Sequence, residues 1–162
     1  MNTEFIATNL RRFTFQNTRM KQWVESNSSG RVLNLFCGPT RLNLDELRID
    51  INAEESSADI HSDALDAARE LANNGESFNT IILDPPYSYR KSMEMYNGHY
   101  CSRFAQLADA VSSLVRQNSA VISFGYHSTF MGKLRGFELS KLCVFGHGGA
   151  QHCTIAIVER NG

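Results

Sequence analysis

The tetrapeptide Asp84-Pro85-Pro86-Tyr87 is the part of this sequence whose residue types point most directly to chemistry. It follows an apolar run at residues 79–83, where a strand is expected to end. Proline has no amide N–H and a fixed φ, so two prolines in succession lead the chain out of a sheet in a rigid, extended shape. A carboxylate is thereby held just before the rigid step and an aromatic ring just after it. An ordinary turn is the alternative interpretation, although a Pro-Pro turn requires neither flank.

Three other positions carry groups that suit a ligand. The stretch "VLNLFCGPT" puts Gly38 directly after an apolar run, where the missing Cβ lets a ligand approach the backbone, although a plain turn explains it too. Asp50 stands near the end of the next run, where a carboxylate can accept hydrogen bonds from ribose hydroxyls or simply be solvated. Asp63 precedes "ALDAARELA" and is explained equally well as an adenine contact or as a helix N-cap.

The elements that must position these groups follow from hydrophobic patterning. Short apolar runs rich in β-branched and aromatic residues predict a parallel sheet with strands at residues 31–36, 47–51, 79–84 and 119–124. Helical spacing predicts helices over 64–73 and 102–117, and Asn17 can cap a first helix that carries Met20, Trp23 and Val24. The runs at 137–145 and 152–160 flank "GHGGAQ" and predict an antiparallel hairpin at the end of the sheet.

The first two connections between parallel strands are unusually short. Eight residues separate Gly38 from Leu47, and five separate Asn52 from Ala58. A parallel crossover normally needs a dozen or more residues and usually carries a helix. We therefore expect loops or single turns in both places, which leaves one face of the sheet thinly covered.

Composition narrows the class of protein without identifying a partner. The chain has 162 residues, 42% of them hydrophobic and 20% charged, with a net charge of -1, as is ordinary for one soluble globular domain. Near-neutrality argues against an overall basic nucleic-acid binder but permits a local basic patch. Four cysteines without a Cys-x-x-Cys pair, and no signal peptide, predict a reducing, cytoplasmic setting. His127, His147, His152 and Cys153 match no common zinc spacing, so no metal is predicted.

Along the chain, a glycine loop, two acids and Asp-Pro-Pro-Tyr each follow a successive predicted strand. This order resembles the class I S-adenosylmethionine-dependent methyltransferases, and within them the amino-methyltransferases that modify exocyclic nitrogens of nucleic-acid bases. The resemblance covers about Phe13 to Glu159 and rests on "DPPY" and "NLFCG". It implies a Rossmann-like methyltransferase fold in a single domain over 1–162, with an N-terminal flank (1–30), a cofactor half (31–78) and a catalytic half (79–162).

The resemblance also implies roles for individual residues. Catalysis falls to Asp84, Pro85, Pro86 and Tyr87. Contacts to S-adenosylmethionine, with S-adenosylhomocysteine as product, are implied for Phe15, Asn34, Cys37, Gly38, Pro39, Asp50, Ile51, Asp63, Ala64 and Asp84. Substrate contacts are implied for Tyr87, Arg90, Tyr126 and His127, and Lys91, Lys133 and Arg135 could grip phosphates. The first loop departs from the family pattern, which usually has an acid and a second glycine where this chain has Asn34 and Pro39-Thr40.

The function implied is methyl transfer to an exocyclic amine of a nucleobase, with N6 of adenine in DNA favoured by the aspartate of the tetrapeptide. Two alternatives stay open: an RNA methyltransferase acting on adenine N6 or guanine N2, and a catalytically silent cofactor-binding subunit. No clear target-recognition domain follows Tyr87. We therefore expect nucleic acid as partner, DNA before RNA, with specificity from a partner protein, a homodimer or a short loop such as 88–100, and no membrane association.

Overall fold

One eight-stranded sheet organises the chain in the computed structural model, which describes residues 1–86 and 104–162. The strands are β1 (Asn2–Ala7), β2 (Val32–Leu35), β3 (Glu46–Asp50), β4 (Ile60–His61), β5 (Phe78–Leu83), β6 (Val115–Gly125), β7 (Phe137–Gly146) and β8 (Thr154–Asn161). The described helices are α1 (Thr18–Asn27), α2 (Ala64–Asn73) and α3 (Phe104–Ser112), with short 3-10 turns at Thr14–Gln16 and Lys133–Arg135. The strand order across the sheet is β1-β7-β8-β6-β5-β2-β3-β4.

Strand direction gathers most of the loops at one side of the sheet. Neighbouring strands are parallel except where β8 is involved, because β8 runs antiparallel to both β6 and β7. The carboxyl ends of the other seven strands therefore lie along one edge, which we call the carboxyl edge. The predicted architecture, a mostly parallel sheet finished by an antiparallel hairpin, is confirmed.

The two central strands bring the predicted motifs together. β2 is buried throughout, β5 is buried except at Asn79, and Leu35 pairs with Leu83 in the parallel register. The loop that begins at Phe36 and the loop that begins at Asp84 therefore leave the sheet side by side. The strands predicted at 31–36, 47–51, 79–84 and 119–124 are confirmed as β2, β3, β5 and β6.

The first helix begins where its cap predicts. Oδ1 of Asn17 accepts the N–H groups of Arg19 and Met20 at 3.0 and 3.1 Å, which satisfies two donors that a helix start leaves free. Trp23 and Val24 share the buried face of α1 with Met20. The helix predicted over 64–73 is confirmed as α2. Within residues 1–86 and 104–162, we find no helix with the length and apolar character needed to cross a bilayer.

The short crossovers contain no helix, as predicted. Residues 36–45 and 51–59 form loops between β2, β3 and β4. α2 and α3 pack against one face of the sheet, whereas the described helix on the other face is α1, supplemented by Leu42 and Leu44 from the first loop. On the face of the sheet that carries α1, β2 and β3 are thus covered mainly by a loop.

One strand was not predicted, and one expectation about secondary structure is wrong. The strand that was not predicted is β1 in the N-terminal flank, which pairs in parallel with β7 at the edge of the sheet. The helix predicted over 102–117 ends at Ser112, because Val115 pairs with Phe78 and already belongs to β6. Val115 continues the helical spacing of apolar residues, but strand pairing with β5 overrides it. A register shift follows at once, and Asn118 adopts a left-handed φ of 62°.

Candidate active site

A narrow pocket lies at the carboxyl edge between the ends of β2 and β5. It has a free volume of about 10 Å³ and is lined by Phe13, Thr14, Phe15, Phe36, Cys37, Gly38, Pro39, Thr40, Asp84, Pro85 and Pro86. Five of the residues predicted to contact a cofactor therefore line this pocket, namely Phe15, Cys37, Gly38, Pro39 and Asp84. The 3-10 turn before α1 supplies the wall opposite the glycine loop.

Gly38 is held from both sides by side chains of β3. Its N–H donates to Oδ2 of Asp50 at 2.8 Å, and its C=O accepts from Nη2 of Arg48 at 2.9 Å. Gly38 has a φ of +61°, and Phe36, two residues earlier, has a φ of +64°. The left-handed region suits glycine but costs a bulky residue roughly 1–3 kcal/mol, so it persists only where the surroundings fix it. The contacts from β3 provide that fixation.

Charged residues alternate along the same face of β3. Glu46, Arg48 and Asp50 are spaced by two, so their side chains project to one side of the sheet. Arg48 has no exposed surface, and its guanidinium donates to Oε1 of Glu46 at 2.5 Å and to the carbonyl and hydroxyl oxygens of Ser57. Glu46 also accepts from Nδ2 of Asn34 on β2 at 3.0 Å. We call Glu46, Arg48 and Asp50 the charged ladder. It fixes the loop between β2 and β3, which stands in the place of the helix that a parallel crossover usually carries.

The ladder changes what Asp50 and Asn34 offer a ligand. Asp50 is 2% exposed, and its second oxygen accepts the N–H of Asn52 at 2.9 Å. Burial raises the pKa of Asp50, although the N–H groups of Asn52 and Gly38 act to lower it. A ribose hydroxyl would have to share an oxygen that already accepts a hydrogen bond. Asn34 on β2 is fully buried and is not among the residues that line the pocket.

The remaining predicted adenine contacts lie at the start of α2. Oδ2 of Asp63 accepts the N–H groups of Leu65 and Asp66 at 3.0 and 3.1 Å, so the helix-cap interpretation of Asp63 is observed. Ala64 is buried, and Ile51 leaves 36% of its surface exposed after the end of β3. An adenine contact by Asp63, Ala64 or Ile51 stays a prediction.

A second, larger cleft opens on the other side of Pro85. It measures about 490 Å³, within the range of ligand sites, and is lined by Pro85, Phe104, Ala105, Phe124, Gly125, Tyr126, His127, Thr129, Phe130 and Arg135. Tyr126 and His127, which the sequence predicts to contact substrate, thus reach the same cleft as the proline of the tetrapeptide. The ring of His127 lies 6.0 Å from that of Phe130, and the ring of Tyr126 lies 5.8 Å from that of His152.

A buried carboxylate fixes the far wall of this cleft. Glu159 on β8 is 1% exposed and accepts three successive backbone N–H groups, from Phe130 at 3.0 Å, Met131 at 2.8 Å and Gly132 at 3.0 Å. Hydrogen bonds to an ionised group are about twice as strong as neutral ones. The loop after β6 is therefore anchored to the sheet next to the cleft.

Some predicted residues and alternatives fall elsewhere. Tyr87, Arg90 and Lys91 lie outside the described residues. Burial raises the pKa of Cys37 to about 12, so its thiol stays neutral at the pocket wall. Nε2 of His147 and Oγ1 of Thr154 lie 2.8 Å apart. In the part of the chain that the structure describes, no group of three or more histidine, cysteine or acidic residues is arranged to hold a metal ion.

Sequence reasoning missed several residues that shape both cavities. Arg48 and Glu159 were not singled out, because an isolated charge on a predicted strand normally faces solvent. One pattern could have indicated a buried Arg48: in "ELRID", charged and apolar residues alternate, and the segment follows a crossover that is too short for a helix. Phe13 and Phe130 line the pocket and the cleft respectively, but single aromatic residues in loops carry no distinctive pattern.

Comparison with known proteins supports the fold. The sequence matches no protein-family model and no curated protein. Among solved structures, TrmN from Thermus thermophilus is similar with a TM-score of 0.61 and 15% identity over 90% of this chain and 49% of that one. The SAM-dependent methyltransferase from Agrobacterium tumefaciens gives 0.54 and 15% over 86% of this chain and 58% of that one. This chain thus spans about half the length of those two proteins.

A third similar structure is closer in length. N-methyltransferase NodS from Bradyrhizobium japonicum WM9, solved in complex with S-adenosyl-L-homocysteine, gives a TM-score of 0.57 and 10% identity over 88% of this chain and 85% of that one. The second and third of these proteins are methyltransferases by name, and the similarity of all three supports the Rossmann-like architecture expected from the sequence. The chain therefore has the fold of the S-adenosylmethionine-dependent methyltransferases.

Proposed function

We propose that this protein is an S-adenosylmethionine-dependent N-methyltransferase that acts on an exocyclic amine of a nucleobase, with N6 of adenine in DNA as the first candidate. One observation carries the proposal: Pro85 lines both the narrow pocket beside the glycine loop and the cleft of about 490 Å³. A cofactor on one side and a base on the other would meet at Asp84-Pro85. Methyl transfer requires such a meeting point, because donor and acceptor must lie in line.

The pocket beside Gly38 fits the chemistry of the cofactor. When bound, S-adenosylmethionine supplies an electrophilic methyl group on a positively charged sulfur. Aromatic rings from Phe13, Phe15 and Phe36 and the carboxylate of Asp84 line the pocket, and both kinds of group favour a cation. A nucleoside ligand needs a site of several hundred Å³, so the 3-10 turn and the glycine loop must separate when it binds.

Asp84 and Pro85 suit the task of activating an amine. The lone pair of an exocyclic amine is delocalised into the base, which makes the nitrogen a poor nucleophile. The carboxylate of Asp84 and the carbonyl of Pro85 can accept the two N–H bonds of the amine and favour a more pyramidal nitrogen. The fixed φ angles of Pro85 and Pro86 keep these two acceptors convergent. As the N–C bond formed, the bond from the methyl carbon to sulfur would break and leave S-adenosylhomocysteine, and the nitrogen would then lose one proton to solvent.

The cleft beyond Pro85 suits a base that has left its stack. Phe104, Tyr126, His127 and Phe130 offer aromatic faces there, and stacking on such faces holds an extruded base. Tyr87 is proposed as a further stacking partner by resemblance to the amino-methyltransferases. The same resemblance favours adenine, while RNA remains the alternative substrate and a silent cofactor-binding subunit the alternative role.

Tritiated methyl transfer tests the proposal. Matched DNA and RNA pools are incubated with the protein and labelled cofactor, and the methylated nucleoside is then identified. Asp84→Ala should reduce turnover by about a hundredfold or more, the range for loss of one preorganised transition-state partner. Affinity for S-adenosylhomocysteine should fall far less, because its sulfur carries no charge for the carboxylate to stabilise. Asp45→Ala, at an exposed loop position, serves as the matched control and should keep full activity.

The outcomes separate the alternatives. Label in N6-methyladenine from DNA supports the first candidate, and label in RNA nucleosides alone replaces it with the RNA enzyme. Calorimetric binding of S-adenosylhomocysteine without any transfer favours the silent subunit. Absence of such binding refutes the methyltransferase proposal, and near-normal methylation by Asp84→Ala reduces the tetrapeptide to a turn.

A further inference from the structure

We infer that the loops on the β1 side of the carboxyl edge bind the phosphodiester backbone of a nucleic acid, with Arg11 as a phosphate contact. This inference rests on the proposed function, because it concerns the substrate of the same site. The surface consists of residues 8–19 after β1 and residues 146–153 between β7 and β8, and we call it the β1-side surface.

Charge is strongly segregated along this sequence although its net value is only -1. No aspartate or glutamate occurs between Glu4 and Glu25 or between Glu138 and Glu159, so the β1-side surface contains no carboxylate. The same residues include Arg11, whereas the segments after β3 and around the start of α2 are acidic and include "NAEES" and "HSDALD". One carboxylate of these segments, Glu55, reaches the β1-side surface, where it pairs with Arg12. A phosphate backbone approaching the carboxyl edge is therefore attracted to the β1 side and repelled from the other.

The direction of β1 brings the loop that follows it to the carboxyl edge. Because β1 is parallel to β7, Ala7 ends beside Gly146 at the carboxyl edge, and the N–H of Thr8 donates to the carbonyl of Gly146 at 2.8 Å. Nδ2 of Asn17 donates to Oγ1 of Thr8 and to the carbonyl of Asn9, both at 2.6 Å. These contacts fix residues 8–9 to the start of α1 and to the hairpin.

An open polar cleft follows from this arrangement. It measures about 430 Å³ and is lined by Ala7, Thr8, Asn9, Arg11, Gln16, Asn17, Thr18 and Arg19. Nη1 of Arg19 donates to the carbonyl of Ala7 at 3.0 Å, and Arg12 pairs with Glu55 at 2.8 Å. Arg11 is exposed, and no carboxylate or hydrogen-bond partner of its guanidinium is found among the described residues. Its charge is therefore available to a ligand.

The surface is continuous with the proposed active site. Gln16 lines the polar cleft, and the preceding Phe13 and Phe15 line the pocket that contains Asp84. On the hairpin side, the ring contact between His152 and Tyr126 joins the turn to the larger cleft. Four strand spacings of about 4.8 Å separate β1 from β5, or about 19 Å in all. A surface of that span suits several successive phosphates better than one anion.

The turn between β7 and β8 leaves room for a backbone. Gly148 and Gly149 have φ values of 74° and 57°, and a Cβ built on either would meet no atom within 4 Å. Ala150 is also exposed. The turn therefore has small side chains and no carboxylate, so a phosphate can approach it closely. A negative charge introduced on the turn would repel that phosphate.

Fluorescence anisotropy with labelled DNA and RNA oligonucleotides, single-stranded and duplex, tests the inference across a series of salt concentrations. Loss of one phosphate contact lowers the slope of log K against log salt by about 0.7 for single strands and about 0.9 for duplex DNA, or roughly five- to eightfold in affinity at 0.1 M salt. We expect that loss for Arg11→Ala and a larger one for Arg11→Glu. Ala150→Glu should weaken binding in the same direction.

Matched controls lie at the opposite edge of the sheet. Arg160, near the end of β8, pairs with Ala120 of β6, and Gln117 is exposed near the start of β6. Arg160→Glu and Gln117→Glu make the same changes of charge and should bind within about twofold of the wild type, as expected for screening over more than a Debye length. Affinity for S-adenosylhomocysteine and the thermal midpoint should stay unchanged in every variant, which shows that the fold and the pocket are intact.

Failure of the inference and failure of the proposed function give different results. If Arg11→Glu and Ala150→Glu bind nucleic acid as tightly as the controls while methyl transfer persists, the β1-side surface is refuted and the function stands. Nucleic-acid binding that is lost equally in the controls also refutes it, as does a wild type that binds no oligonucleotide. If S-adenosylhomocysteine does not bind, the methyltransferase proposal fails, and the same anisotropy series still decides whether this surface binds nucleic acid.

Discussion

Removing the guanidinium of Arg48 should destabilise the protein far more than removing an exposed arginine. Arg48 has no exposed surface and donates to Glu46, Gly38 and Ser57, so Arg48→Met leaves the Glu46 carboxylate, 4% exposed, without its cation. Stranding one member of a buried ion pair costs about 3–5 kcal/mol. For a chain of this size each kcal/mol lowers the thermal midpoint by about 2–4 °C, which gives a decrease of roughly 6–20 °C.

Urea unfolding measured by tryptophan fluorescence provides the assay, because the chain has a single tryptophan and Trp23 is 5% exposed. Arg12→Met is the control: Arg12 also pairs with a glutamate, but its side chain is 55% exposed, and such pairs contribute at most about 1 kcal/mol. The double variant Glu46→Leu/Arg48→Met should recover at least half of the loss, since neither member of the pair then leaves the other's charge buried alone. A loss below 1 kcal/mol for Arg48→Met, or strict additivity in the double variant, would refute the argument.

Three further outcomes are expected. Burial raises the pKa of Glu25, but the N–H of Asn43 and the ammonium of Lys21 outweigh burial and lower that pKa below the usual 4.5. The ionised carboxylate therefore stabilises the fold above pH 4.5, and this stability is lost as the pH falls through the lowered pKa. The urea midpoint of Glu25→Gln should depend less on pH in that range than the midpoint of the wild type. Burial raises the pKa of Cys37 and Cys143 to about 12, so mass spectrometry after brief alkylation at pH 8 should find both unmodified and exposed Cys153 labelled. Glu159→Gln weakens three hydrogen bonds to the loop after β6 and should cost roughly 3 kcal/mol in urea unfolding, with a raised KM for nucleic acid.

The elements that were predicted correctly are those whose evidence lies in a short stretch of sequence. The strands that became β2 and β5 are apolar runs bounded by breakers, and the cap at Asn17 lies directly before the helix that it starts. The end of the helix predicted over 102–117 was wrong because Val115 satisfies both a helical face and a strand partner. Only the pairing with Phe78 decides between them, and that pairing lies far away in sequence.

The site was predictable where its residues form a motif and not where they act through distant partners. Gly38 and Asp84 were each expected at the carboxyl end of a strand, and they line one pocket. Arg48 was missed because a lone arginine in a strand normally faces water; its burial depends on Glu46 beside it and on carbonyls of two loops. Asp50 was given a ligand role, yet one of its oxygens holds the glycine loop and the other accepts the N–H of Asn52.

The parallel pairing of β1 with β7 has a consequence for the order in which the protein acquires its structure. Asn2 pairs with Lys141, so a loop with a sequence separation of 139 must close before the first strand finds its neighbour. Closing so long a loop is entropically costly and slow, and we expect β1 to join the sheet last. The indole N–H of Trp23 donates to Oε2 of Glu4 on β1 at 2.8 Å, so the chain carries its own optical reporter of this final step. A late change in tryptophan emission during refolding would mark the moment when the β1 loop, and with it Arg11, reaches the carboxyl edge.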